Sequence, residues 1–83
     1  DVNPVAPIHI LVIPKGGYRN FDEFSQKARP EELTHYFRKI SDIAKSQGAE
    51  EYRIVSNNGS SSGQTVFHFH THIIAGASFS KLI

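Results

Sequence analysis

Apolar and polar positions change their period along this chain, and each change marks an element. Ile8-His9-Ile10-Leu11-Val12-Ile13 is nearly continuous aliphatic sequence. Pro4 and Pro7 hold its approach extended, and Pro14 with Gly16-Gly17 stops it, so it reads as a largely buried strand. From Tyr18 to Ala28 the pattern dissolves into loop, with one short helical turn around Phe21-Asp22-Glu23-Phe24. After Pro30 the period lengthens. Leu33, Tyr36, Phe37, Ile40, Ile43 and Ala44 recur at three and four residues, the stripe of an amphipathic helix whose job is core packing. Pro30 suits the first helical position, Glu31 and Glu32 sit at the positive end of the dipole, and Gly48 ends the helix. Tyr52-Arg53-Ile54-Val55-Ser56 is a second strand. A third is expected over Val66-Phe67-His68-Phe69-His70-Thr71-His72-Ile73-Ile74, whose β-branched and aromatic residues favour an extended chain.

Three of the five histidines fall in that last run at strict two-residue spacing. In a strand, side chains alternate faces, so His68, His70 and His72 project from one side about 6.5–7 Å apart, twice the rise per residue. Phe67, Phe69 and Ile73 go to the other. A single strand histidine is usually structural, but three in register are costly to bury unpaired. Two chemical readings remain. One is a metal site built from neighbouring imidazoles. The other is nucleophilic or general acid–base catalysis, for which imidazole has a suitable pKa. His9, alone in an aliphatic strand, reads as a satisfied core histidine, and His35 lies off the helix stripe at the surface.

Composition narrows the field. Eighty-three residues make one domain with a small core, so a partner subunit is the expected supplement. Without cysteine, disulfides and cysteine-ligated zinc are excluded within the chain. Nine basic residues against eight acidic ones give no charge-driven case for nucleic acid or membrane binding. No apolar run matches a transmembrane helix or a signal sequence, which makes the cytoplasm the default location. The chain has no methionine and runs from Asp1-Val2-Asn3-Pro4 almost directly into a strand, so an N-terminal part of the parent polypeptide is expected to be absent.

Asn57-Asn58-Gly59-Ser60-Ser61-Ser62-Gly63-Gln64 feeds into the histidine run. As a flexible polar loop it would be unremarkable in function. Its small residues also permit close approach of backbone N–H groups to a phosphate, and its position beside the histidines raises that second reading.

Taken together, these motifs resemble the histidine-triad (HIT) family. Its His-φ-His-φ-His-φ-φ signature, with φ apolar, stands here as His68-Phe69-His70-Thr71-His72-Ile73-Ile74, with Thr71 in one apolar position. The run from Asp1 to Lys15 is similar to the D-x-x-P-x-A-P-x-H-x-L-v-I-P-K strand of the family's Hint branch, and the run from Asn57 to Val66 to its N-x-G-x-x-x-G-Q-[ST]-V loop. The resemblance implies an α+β fold: an antiparallel sheet with one main amphipathic helix, forming a single partial HIT domain over residues 1–83 that lacks its N-terminal helix and hairpin. It also implies a homodimer with a continuous sheet.

The implied activity is hydrolysis of a purine nucleotide conjugate at the α-phosphate, phosphoramidase-like, through a nucleotidyl-histidine. The alternatives are a dinucleoside polyphosphate hydrolase, as in the Fhit branch, and a non-catalytic nucleotide-binding or scaffold module. By the same resemblance His70 is the nucleophile and His68 orients it through its carbonyl. His72 and Thr65 contact phosphate or leaving group, and His9 supports the cluster. Asn57, Gly63 and Gln64 bind the phosphate region, with Asp1 on the ribose. No cofactor is required. Structural zinc would enter only through cysteines of the absent N-terminal region.

Overall fold

The computed structural model describes residues 7–76. Its elements follow in the order β1 (Ile8–Val12), α1 (Phe21–Lys27), α2 (Pro30–Ser46), β2 (Tyr52–Val55), a 3-10 turn (Ser60–Ser62) and β3 (Thr71–Ala75). The architecture is α+β, as the sequence implies. The three strands form an antiparallel sheet in the order β1-β3-β2, so the last strand is the central one.

Register decides which residues face the helices. Ile10 pairs with Ile73 and Val12 with Thr71 on one side of β3, and Ile54 pairs with Ile73 on the other. These residues, with Ile8 and Ala75, share the face on which Phe24, Tyr36, Ile40 and Ala44 close the core. The opposite face carries His9, Leu11, His72 and Ile74 by the same alternation. Helices cover one face, and histidines gather on the other. The Tyr36 hydroxyl ties the two layers together: it donates to the Val12 carbonyl oxygen at 2.7 Å and meets the Thr71 hydroxyl at 2.9 Å. Burial raises the Tyr36 pKa, so the phenol stays protonated for that task.

α1 is a full helix of seven residues, longer than the single turn expected. Asn20 caps it, its side chain accepting from the Glu23 N–H at 2.8 Å, while the Glu23 carboxylate reaches back to the Arg19 N–H at 3.0 Å. α2 begins at Pro30 as expected. It ends in the arrangement a left-handed glycine permits: Gly48 has φ +80°, and the N–H of Ala49 returns to the Ala44 carbonyl at 3.0 Å. Of the stripe read from the sequence, Tyr36, Ile40 and Ala44 are buried, Leu33 and Ile43 are partly so, and Phe37 is exposed.

The histidine strand is shorter than its composition predicts. It starts at Thr71, not Val66, so His72 alone of the triad lies in it. The reason is the loss of neighbours. β1 stops pairing at Val12, opposite Thr71, and is followed by Pro14; β2 stops at Val55, opposite His72. Upstream of Thr71 the main chain finds substitutes. Phe69 N–H donates to the Tyr18 carbonyl at 2.7 Å, and Ser56 Oγ donates to the His70 carbonyl at 2.7 Å. Alternation survives from Phe69 onward, with Phe69 sunk in the core, but Phe67 is 48% exposed and does not share that buried side.

Candidate functional site

The histidine positions follow from Phe69. Its ring stacks on Phe24 at 4.7 Å and meets Tyr36 at 5.5 Å, which anchors the segment in the core and turns the flanking His68 and His70 away from it. His70 Nδ1 lies 2.8 Å from the His68 carbonyl oxygen. A carbonyl only accepts, so the proton is on Nδ1 and the Nε2 lone pair is available. Among the described residues, Nε2 has no hydrogen-bond partner. The His68 ring points elsewhere, its Nε2 donating to the Gly16 carbonyl at 3.2 Å. His68 therefore holds His70 with its backbone and the β1–α1 connection with its side chain.

His72 joins from β3. Its ring stands 5.0 Å from that of His70, and its Nδ1 is 2.8 Å from His9 Nε2. His9 and His72 are diagonal neighbours on adjacent strands, which brings long side chains within reach. One proton occupies that hydrogen bond, so one ring donates and the other accepts. The core histidine read from β1 is in fact a member of this cluster. Burial lowers the His72 pKa below the usual imidazole value, and the positive forms of His70 and His9 lower it further. His72 is thus neutral at pH 7. A histidine held neutral by the fold costs stability as pH falls, because the unfolded chain takes up the proton first; stability in that window rises with pH. In an NMR titration the His72 midpoint should lie below 6.5, the ordinary value, and His9→Gln should bring it only part of the way back, because burial is the larger cause.

The Gly/Ser loop is tightly organised. Gly63 has φ +101°, which favours glycine, and closes the 3-10 turn. The Gln64 side chain turns inward. Gln64 is 4% exposed, and its amide is spent on the loop itself. Oε1 accepts from the Gly59 N–H at 2.8 Å, and Nε2 donates to the Arg19 and Val66 carbonyls at 2.7 and 3.0 Å. Its own N–H returns to the Gly59 carbonyl at 3.1 Å. Gln64 shapes the loop from inside. Asn57 is half-buried beside Gly63, and Thr65 is exposed where the loop meets the histidine run. Asp1 lies outside the described residues.

Ser56 and Asn58 were not singled out in the sequence. Ser56 supports the His70 backbone, and Asn58 links the loop to α1 through Asp22. Two apolar grooves border this region. One of about 280 Å³ runs past Ser56, Asn58, Phe37 and Ile54, and one of about 380 Å³ lies between Lys15, Tyr36 and Lys39; no triad histidine lines either. Among the described residues no three His, Asp or Glu side chains converge so as to hold a metal ion. No helix there is long and apolar enough to cross a membrane.

A three-stranded antiparallel sheet backed by helices, with ordered imidazoles on its open face, defines a histidine-triad domain. The model of the HIT domain family matches residues 1–79, and the chain belongs to that family. It is 48% identical over 85 residues to an uncharacterized HIT-like protein of Rickettsia prowazekii, covering 100% of this chain and 71% of that one. Among solved structures, a histidine triad protein from Clostridium difficile matches at TM-score 0.86 and 38% identity, covering 100% of this chain and 73% of its own. A HIT family hydrolase from Clostridium thermocellum matches at TM-score 0.88 and 34% identity over the same shares.

Proposed function

We propose that this domain is the catalytic part of a Hint-branch hydrolase that cleaves purine nucleotide conjugates at the α-phosphate. One observation carries the reading: the His68 carbonyl fixes the His70 proton on Nδ1 and leaves Nε2 as an oriented nucleophile. In the first step the Nε2 lone pair forms a bond to phosphorus while the bond to the leaving amine breaks. The amine takes a proton from solvent as it departs, and His72, neutral and 5.0 Å from His70 ring to ring, is the neighbouring group able to accept the proton that the attacking water loses in the second step. In the second step water attacks phosphorus, the P–N bond to His70 breaks, and the mononucleotide leaves. One difficult displacement is replaced by two easier ones, the first with imidazole as nucleophile and the second with imidazole as leaving group. Asn57, Thr65 and the backbone around Gly63 address the phosphate, where negative charge gathers. Asp1 would take the ribose hydroxyls.

The same reading includes a second copy. β2 is an edge strand; within it Ile54 is 50% exposed and Tyr52 is open, as are Phe37 and Phe21 of the helices. Pairing β2 with its counterpart would extend the sheet and cover this apolar strip.

The test is AMP release from an adenosine 5′-phosphoramidate by the full chain, with a base quench to retain a nucleotidyl adduct on the peptide that contains His70. AMP and the adduct together are the expected result. Turnover confined to diadenosine polyphosphates would move the assignment to the Fhit-type reaction. Nucleotide binding with no turnover of either class would make the domain a binding module.

A further inference from the structure

The Gly/Ser loop has to hold its backbone in one place if it is to meet a phosphate, yet it is long, polar and rich in glycine. Its inner half is fastened by Gln64. Its outer half is fastened by a reciprocal contact with the first turn of α1. The Asp22 N–H donates to Asn58 Oδ1 at 3.0 Å, and Asn58 Nδ2 donates to Asp22 Oδ2 at 3.2 Å. The two residues are 36 positions apart, so the contact closes a large circuit of chain. The helix end is itself immobilised by the Asn20 cap, and the segment just before it accepts from Gln64 at Arg19 and from Phe69 at Tyr18. One short stretch, residues 18–22, thus anchors both the loop and the start of the histidine run.

We infer that Asp22 and Asn58 are positioning residues that set the distance between the Gly/Ser loop and His70, and so tune how tightly the loop holds a phosphate ester. The inference rests on the proposed nucleotide hydrolysis for its kinetic consequence, but its structural half can be read without turnover. In N58D the backbone bond to Oδ1 survives while a second carboxylate is set against that of Asp22, so the loop is pushed outward. In the double swap D22N/N58D the contact is rebuilt with donor and acceptor exchanged: the new amide at position 22 donates to the new carboxylate at position 58.

On the full chain N58D should lower kcat/KM roughly tenfold, mostly through KM, because the binding lost is shared by ground and transition states. The melting temperature should move little, since the pair is exposed. D22N/N58D should recover most of the loss. A merely structural contribution would lower thermal stability and kcat/KM together, without rescue in KM. Amide hydrogen exchange supplies the second readout. Gly59–Gln64 should exchange faster in N58D and return to the original rate in the double swap, whether or not the substrate has been identified. Unchanged exchange in N58D, or a double swap that exchanges like N58D, overturns the inference. Absence of turnover in the unmodified chain would count against the proposed function and leave the exchange result to decide the clamp.

Discussion

Replacing His70 by alanine should lower kcat on an adenosine phosphoramidate by at least about 10⁴-fold, the scale on which loss of an attacking side chain is felt. The substitution removes the atom that forms the intermediate and leaves water to attack phosphorus unaided. The fold should survive. His70 is half-buried, and among the described residues its ring bonds only to a carbonyl two residues away, so its loss costs about 1 kcal/mol and leaves the sheet register untouched. Nucleotide binding, followed by calorimetry, should persist because the loop around Gly63 does not depend on the imidazole. A folded variant that kept turnover within tenfold of the parent would transfer the nucleophile's role to another group.

The largest effect on stability should come from Phe24. It is 0% exposed, and its ring touches Phe69 at 4.7 Å, Tyr36 at 5.0 Å and Tyr18 at 5.2 Å. Truncation to alanine loses the transfer energy of a whole ring and leaves a void among aromatic neighbours that cannot all close on it, a cost of about 3–5 kcal/mol. Small domains hold roughly 5–15 kcal/mol in all. The urea midpoint, read by far-ultraviolet circular dichroism, should therefore fall by roughly 2 M or more. Phe67→Ala is the matching control. That ring is 48% exposed, with Arg19 5.8 Å above it, and its removal should cost no more than about 1 kcal/mol. Equal losses at the two positions would mean that the aromatic stack does not carry the core.

Much of this architecture is written in local signals. The aliphatic run of β1, the stripe from Leu33 to Ala44 and the stop at Gly48 each depend on residues close in sequence, and each falls where its pattern places it. The expected burial of β1 does not hold: only Val12 is buried, and Leu11 and Ile13 are exposed, because helices cover one face of the sheet alone. The first turn of α1 is also legible: Asn20 followed three residues later by Glu23 is a capping pattern, carried by polar residues and not by apolar periodicity. What could not be read is what needs a distant partner. The histidine run has strand composition from Val66, but a strand requires a neighbour, and its neighbours end at Val12 and Val55. Gln64 looks like a ligand donor in sequence; only the arrival of the Arg19 carbonyl, 45 residues away, shows its amide already engaged. The same holds for the Asp22–Asn58 contact. Within the candidate site, the spacing of His68, His70 and His72 conveyed the chemistry, whereas the direction of each ring depended on Gly16, His9 and the buried Phe69.

The stretch from Phe69 to Ile73 carries two messages on alternate letters. Phe69, Thr71 and Ile73 are addressed to the interior, and His70 and His72 to the open face. Inserting or deleting a single residue here would exchange the two audiences at every following position, sending imidazoles into the hydrocarbon and aromatic rings into the water. Substitutions can be absorbed one at a time, but changes of length cannot. In the descent of such a chain, this stretch would keep its count of residues, and the histidine run would serve as the fixed ruler against which the rest of the sequence drifts.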